Sequence, residues 1–181
     1  MIKLKKILSL IILLIVLSGC GSNTARMSVE NYLKKYKTLD SEVLVDMEGV
    51  IAKEDLTKDQ EEKYRNILKK QYKDLTYEVI SEEYDDEVSY VTVKINVYDL
   101  YQAQSDALVY LENNKEEFYT NGEYDLEKYV NYKLDKMLKK NDRIDYTLVF
   151  TVTKENNEYI VSELGTDEIK KIHAIYNYEL S

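Results

Sequence analysis

Proline and tryptophan are absent from the 181 residues, cysteine and histidine occur once each, and glycine appears only five times. Each scarcity removes a class of explanation. One cysteine forbids an intrachain disulfide, and one cysteine with one histidine cannot furnish the three or four nitrogen and sulfur ligands of a zinc site. The scattered glycines form no phosphate-cradling loop. Neither GxGxxG nor GxxxxGKS/T occurs, so the dinucleotide and P-loop readings have no support, and no cofactor or metal is implied.

Long hydrophobic runs are also lacking, with one exception. Residues 7–17 are apolar except for Ser9, follow Lys3, Lys5 and Lys6, and precede Ser18, Gly19 and Cys20. A transmembrane helix needs about 20 apolar residues to cross roughly 30 Å of hydrocarbon, so this run is too short for a permanent span and has the form of a signal peptide. Leu17, Ser18, Gly19 and Cys20 resemble the lipobox of bacterial lipoproteins. That resemblance implies that the Cys20 thiol takes a diacylglyceryl group and that the leader, residues 1–19, is then removed. The chemistry suits the residues: small side chains at 18 and 19 admit an extended backbone to a protease cleft, and the thiol is a soft nucleophile for the lipid donor. Acyl chains, at about 0.8 kcal/mol per buried methylene, hold such a protein on a bilayer almost permanently. The expected location is the extracytoplasmic face of the cell membrane. The alternative is a buried free cysteine behind an ordinary secretory leader.

The chain beginning at Cys20 has 162 residues, and loss of the three leader lysines moves the net charge from −9 to −12. One domain, over residues 27–181, is expected after a lipidated cysteine and short tether at 20–26. Its acidity argues against nucleic acid, whose phosphates it would repel, and Lys69-Lys70 and Lys139-Lys140 read as solvated helix faces. Anionic lipid repels it too, so attachment rests on the acyl chains. Residues 21–25, as a flexible coil, reach only about 12 Å, which keeps the domain near the membrane surface.

Hydrophobic periodicity gives a coarse plan. Val29, Tyr32, Leu33 and Tyr36 have helical spacing behind a candidate cap at Ser28, and a short helix follows through Val43, Met47 and Ile51. Thr57 and Gln60 have capping-box spacing ahead of the stripe Tyr64, Ile67, Leu68 and Tyr72, a helix expected to end near Lys73. Alternation then takes over, in Leu75, Tyr77 and Val79 and again in Val91, Val93, Ile95 and Val97, around the acidic turn Asp85-Asp86-Glu87. Leu100, Ala103, Ala107 and Leu111 predict a helix from about Asp99, and Leu126, Tyr129, Val130, Leu134, Met137 and Leu138 a stronger one behind Asp125. A second hairpin is predicted from Ile144, Tyr146, Leu148, Phe150 and Val152, a turn at Glu155-Asn156-Asn157 and a strand over 158–164; Gly165 and Thr166 introduce a last helix through Ile169 and Ile172.

This order predicts an α+β domain, with helices packed on one face of a largely antiparallel, curved four-stranded sheet. Together with the phrases Val29-Glu30-Asn31-Tyr32-Leu33 and Lys170-Lys171-Ile172-His173, it resembles the NTF2-like and cystatin-like folds found among Gram-positive lipoproteins. None of these phrases is a catalytic motif, so the resemblance carries no functional residue with it.

Tyrosine is the most unusual count, 18 against two phenylalanines. The rings either line a cleft that stacks a sugar or an apolar ligand, or replace phenylalanine at core edges, as the stripe positions of Tyr32, Tyr64, Tyr129 and Tyr146 suggest. Glu82, Glu83, Asp85, Asp86 and Glu87 offer hard oxygens to calcium but lack EF-hand spacing, and a solvated hairpin tip accounts for them. His173, near a helix end where the dipole favours its charged form, is expected on the surface. No GxSxG elbow accompanies it. Asp145 and Tyr146 suggest the acid and phenol of some NTF2-like isomerases, but adjacent strand residues face opposite ways.

Three readings follow. The first is a membrane-anchored, non-catalytic binding or protein-interaction module with an envelope partner. The second is a small-ligand binder with a tyrosine-lined pocket between helices and concave sheet. The third is an NTF2-like enzyme, which needs an acid of perturbed pKa deep in that cavity. Ligand-binding residues are not identified from the sequence.

Overall fold

The computed structural model of the chain describes residues 24–178. Leu17, Ser18, Gly19, Cys20 and the leader, like the last three residues of the expected domain, lie outside the described residues.

Thr24 caps the first helix, α1 (Ala25–Thr38), by accepting from the Met27 backbone N–H. The expected cap, Ser28, is instead inside the helix, where its hydroxyl donates to the carbonyl of Tyr159, 2.9 Å away, and pins α1 to the sheet. Leu39, at a φ of 54°, ends α1 in the left-handed region, with its own N–H and that of Asp40 bonded back to Tyr36 and Lys35 carbonyls. Asp40 at once caps α2 (Ser41–Ile51), so two residues turn the corner between these helices. The Thr57–Gln60 capping box forms as its spacing predicts and opens α3 (Lys58–Asp74).

β1 (Thr76–Asp85) and β2 (Val88–Tyr98) form the first hairpin, with α4 (Leu100–Asn113) capped by Asp99. A 3₁₀ turn, Lys115–Phe118, leads to β3 (Tyr119–Thr120) and β4 (Glu123–Tyr124), and Asp125 caps α5 (Leu126–Lys139). β5 (Arg143–Glu155), β6 (Glu158–Val161) and α6 (Thr166–His173) complete the chain. The main sheet has the order β1-β2-β5-β6, antiparallel throughout. The helices lie on one side of it, the α+β arrangement expected from the sequence and consistent with an NTF2-like fold.

One face of the sheet is dry. Val91, Val93, Ile95 and Val97 from β2 alternate inward with Tyr146, Leu148, Phe150 and Val152 from β5, and meet Val29 and Leu33 of α1 and Leu68 and Tyr72 of α3. In β1 the register slips between Val79 and Ser81, a bulge that places two residues against Thr92. Beyond it the parity of β1 reverses, so Glu82 pairs with the inward Val91 and Tyr84 with Ser89. β6 is shorter than the predicted strand over 158–164. It ends at Val161, and residues 162–165 run as an irregular segment that reaches α6.

Candidate functional site

Among the described residues no tyrosine-lined cleft opens between helices and sheet, where branched and aromatic residues of β2, β5 and α1 fill the layer. A tyrosine-lined hollow lies instead beside it, a groove of about 620 Å³ bounded by α1, α2, the segment after β6 and α6. This volume falls within the range of small-molecule sites.

Local structure explains its walls. The two-residue corner at Leu39 and Asp40 folds α2 back beside α1, and α2 is held in place by ion pairs on its outer side. Glu42 meets Lys35 of α1 at 2.5 Å, and Glu48 takes both the Nε and Nη2 of Arg65 of α3, at 2.6 and 2.8 Å. Arg65 holds the Glu48 carboxyl below the usual carboxylate range. Between these anchors α2 presents Val45, Asp46, Gly49, Val50 and Lys53 to the groove, opposite Val161, Glu163, Leu164 and Ile169. Val45 is 71% exposed and Ile169 36%, so apolar side chains stand at the mouth.

Tyr32 and Tyr36 line the inner wall, with ring centroids 5.9 Å apart. Tyr32 is set by an edge-on contact with Phe150, at 5.7 Å between centroids, and Tyr36 meets Tyr72 edge-on at 5.3 Å. Burial, above all, raises the Tyr32 and Tyr36 pKa values, with a further push from the nearby Asp46 carboxylate. Both phenols therefore remain neutral hydrogen-bonding groups at physiological pH.

His173 contributes to the floor, and its environment corrects the expectation of a charged surface imidazole. It is 3% exposed, and its Nδ1 lies 2.6 Å from the buried Tyr72 hydroxyl. With the phenol donating, the ring proton resides on Nε2. Burial lowers the His173 pKa to about 4, outweighing the helix-end position that argued for the charged form. The amphipathic turn Ile169, Ile172 and His173 folds this face of α6 inward, and Ile172 is fully buried.

Gly49 is the least expected member of the groove. It sits inside α2, where glycine costs about 0.5–1 kcal/mol relative to alanine. No positive φ requires it, and a Cβ built there would meet nothing within 4 Å. Packing therefore does not explain the missing side chain. Its effect is to leave bare backbone along the groove, the kind of surface that lets a ligand approach closely.

The other candidate residues are dispersed. Asp145 and Tyr146 face opposite sides of the sheet, as alternation requires. Asp145 is paired with Lys94 at 2.7 Å and accepts from Asn96, which holds its carboxyl below the usual range. The Tyr146 hydroxyl is buried with no hydrogen-bond partner among the described residues. A buried, unsatisfied hydroxyl costs on the order of 1–3 kcal/mol. Tyr146→Phe is therefore expected to raise stability by about 1 kcal/mol in urea unfolding; a loss of similar size would show that the hydroxyl has a partner. The acidic residues run along the end of β1 into the turn: Glu83, Asp85, Asp86 and Glu87 are exposed as expected, whereas Glu82, turned by the bulge, is half-buried with one carboxylate oxygen lacking a partner among the described residues. No group of three or more His, Cys, Asp or Glu among those residues is arranged to hold a metal ion. Tyr64 packs in the core, and Tyr129 is half-buried with its ring edge-on to Phe118 at 5.7 Å between centroids. No helix among the described residues is long and apolar enough to cross a membrane.

The sequence places Tyr32 and Tyr36 on one helix stripe and His173 on the surface near a helix end, and nothing in their spacing joins them. Gly49 was the available signal, a glycine within the apolar periodicity of α2 that no cap or turn demands. No family model matches the chain, and no curated protein or solved structure is significantly similar to it.

Proposed function

We propose that this protein is a lipid-anchored, extracytoplasmic binding module without a catalytic step, and that the groove along α1 and α2 is where it binds a small ligand. The observation that carries the reading is the combination of neutral tyrosine hydroxyls, an apolar mouth and bare Gly49 backbone in one hollow of ligand size. The absence of a paired nucleophile and base in that hollow favours binding over catalysis: His173 Nδ1 is engaged by Tyr72, and Asp46 and Glu163 lie exposed at the rim.

The proposed anchor is a diacylglyceryl group on Cys20, four residues before the Thr24 cap. Ser28 ties the start of α1 to Tyr159, beside the β5–β6 turn, so the tether leaves the domain at that end of the sheet. Tyr32 and Tyr36 lie roughly 10 to 17 Å further along α1 at 1.5 Å per residue. The groove therefore stands off from the bilayer while remaining close to it. The adjoining hairpin tips carry Asp85, Asp86, Glu87, Glu155 and Glu158, which anionic lipid repels, so the acyl chains supply the attachment.

The anchor is tested by substitution. Cys20→Ser is expected to move the protein out of the membrane fraction, and the wild-type chain to show the mass of a diacylglyceryl thioether at residue 20. A bare thiol on the membrane-associated protein would overturn the anchored reading. The groove is tested by native mass spectrometry of protein purified gently from membranes. A co-purifying small molecule is expected with wild type and lost in Gly49→Leu, whereas ligand-free masses for both would count against the site.

A further inference from the structure

We propose that the groove selects a small organic cation, an ammonium group carried on a compact apolar or aromatic body; this rests on the binding reading above and adds to it the chemical class of the ligand. The body has its surface in Val45, Val50, Leu164 and Ile169, which together with the rings of Tyr32 and Tyr36 make the walls predominantly apolar. The head has its surface in charge. Asp46 and Glu163 stand on opposite banks, one on α2 and the other after β6, and both act electrostatically on the Tyr32 phenol. Asp46 acts on Tyr36 as well. Lys35 opposes them at Tyr32, so the negative bias is carried mainly by Asp46, which acts on both rings, whose own faces attract cations.

The use of acids elsewhere on α2 sharpens the contrast. Glu42 is spent on Lys35 and Glu48 on Arg65, both outside the groove. Asp46, on the groove side of the same helix, takes part in none of the ion pairs among the described residues, and neither does Glu163. Lys53 is the single formal cation in the lining, and His173 is neutral at pH 7, so two carboxylates outweigh one ammonium. An anionic ligand meets repulsion here; a neutral one leaves both carboxylates unused; a cation satisfies them. Bare backbone at Gly49, one turn from Asp46, leaves room for a substituted ammonium group beside the carboxylate.

The test uses three probes with one aromatic body and different heads: benzyltrimethylammonium, benzyl alcohol and phenylacetate. Each is titrated against the full-length protein in detergent by saturation-transfer NMR, with protein-free detergent as the blank. Benzyltrimethylammonium is expected to bind on the order of tenfold more tightly than either other probe and to weaken with salt. Asp46→Asn with Glu163→Gln should bring it to the level of benzyl alcohol. Gly49→Leu should abolish binding of every probe with a thermal midpoint no lower than that of wild type, and Gly49→Ala, a smaller change that likewise favours the helix, should weaken it. Equal binding of the three probes, or a cation affinity unmoved by the double substitution, overturns the cation assignment; if Gly49→Leu still abolishes that binding, the groove reading stands alone. Binding that survives Gly49→Leu, or no binding by any probe up to about 1 mM, overturns the groove reading and the cation assignment with it.

Discussion

Lowering the pH from 7 to 4 is expected to remove on the order of 3 kcal/mol of stability through His173 alone. The ring titrates at 6.5 when exposed and at about 4 in its buried place beside Tyr72, so below pH 6.5 the unfolded chain takes up a proton that the folded chain refuses. The contribution is complete above pH 6.5, declines as pH falls, and is exhausted near pH 4. Carboxylates held low by their partners, including Glu48 with Arg65 and Asp145 with Lys94, act in the same direction but over a more acidic interval. Urea unfolding at several pH values separates the two. His173→Gln keeps a hydrogen-bonding group for Tyr72 yet cannot titrate, so its stability should be nearly flat between pH 6.5 and 5 while the wild type declines. Parallel slopes for the two proteins would mean that the imidazole is already accessible to protons in the folded state. Because the folded ring stays neutral until about pH 4, ligand binding in the groove that His173 lines should be insensitive to it above that pH and weaken only near pH 4.

Replacing Phe150 by alanine is expected to cost about 3–5 kcal/mol, the largest effect of any single substitution considered. The ring is fully buried at the centre of β5 and touches Tyr32 edge-on. Its removal opens a cavity in the layer between sheet and α1, and at roughly 2–4 °C per kcal/mol for a domain of this size the thermal midpoint should fall by about 10 °C or more. The same contact joins core to groove. Phe150→Leu, a milder loss, is expected to leave the domain folded but free Tyr32 from its edge-on support, so ligand affinity should fall more than stability does. If Phe150→Leu weakens neither, Tyr32 owes its position to α1 and Tyr36 alone.

The elements were legible wherever a local physical cause was strong. Alternation over Val91, Val93, Ile95 and Val97 specified β2, and Thr57, Asp99 and Asp125 each cap the helix expected behind them. Asn156 and Asn157 adopt the positive φ values, 50° and 67°, that a two-residue hairpin needs. The same logic applies to Asn121-Gly122, with φ of 55° and 86°, which turns β3 into β4; the dipeptide is a hairpin signal, but its strands of two residues are too short for alternation to mark them. The first helix began earlier than expected because Thr24 and Ser28 are both competent caps, and a distant acceptor at Tyr159 recruited Ser28 for a different task.

By itself the sequence determined the order of the main elements, the α+β class, the inward faces of β2 and β5 and the exclusion of zinc, disulfide and phosphate-loop chemistry, since each depends on residue type and short-range spacing. Only the tertiary structure decided that Tyr36, Tyr72 and His173, spread over more than a hundred positions, form one buried chain of contacts, and that α2 and the segment after β6 face each other across a groove. The physical reason is that burial and electrostatic neighbourhood are properties of the folded whole. Helix-end chemistry favours a protonated His173, and desolvation by elements far away in the chain prevails over it.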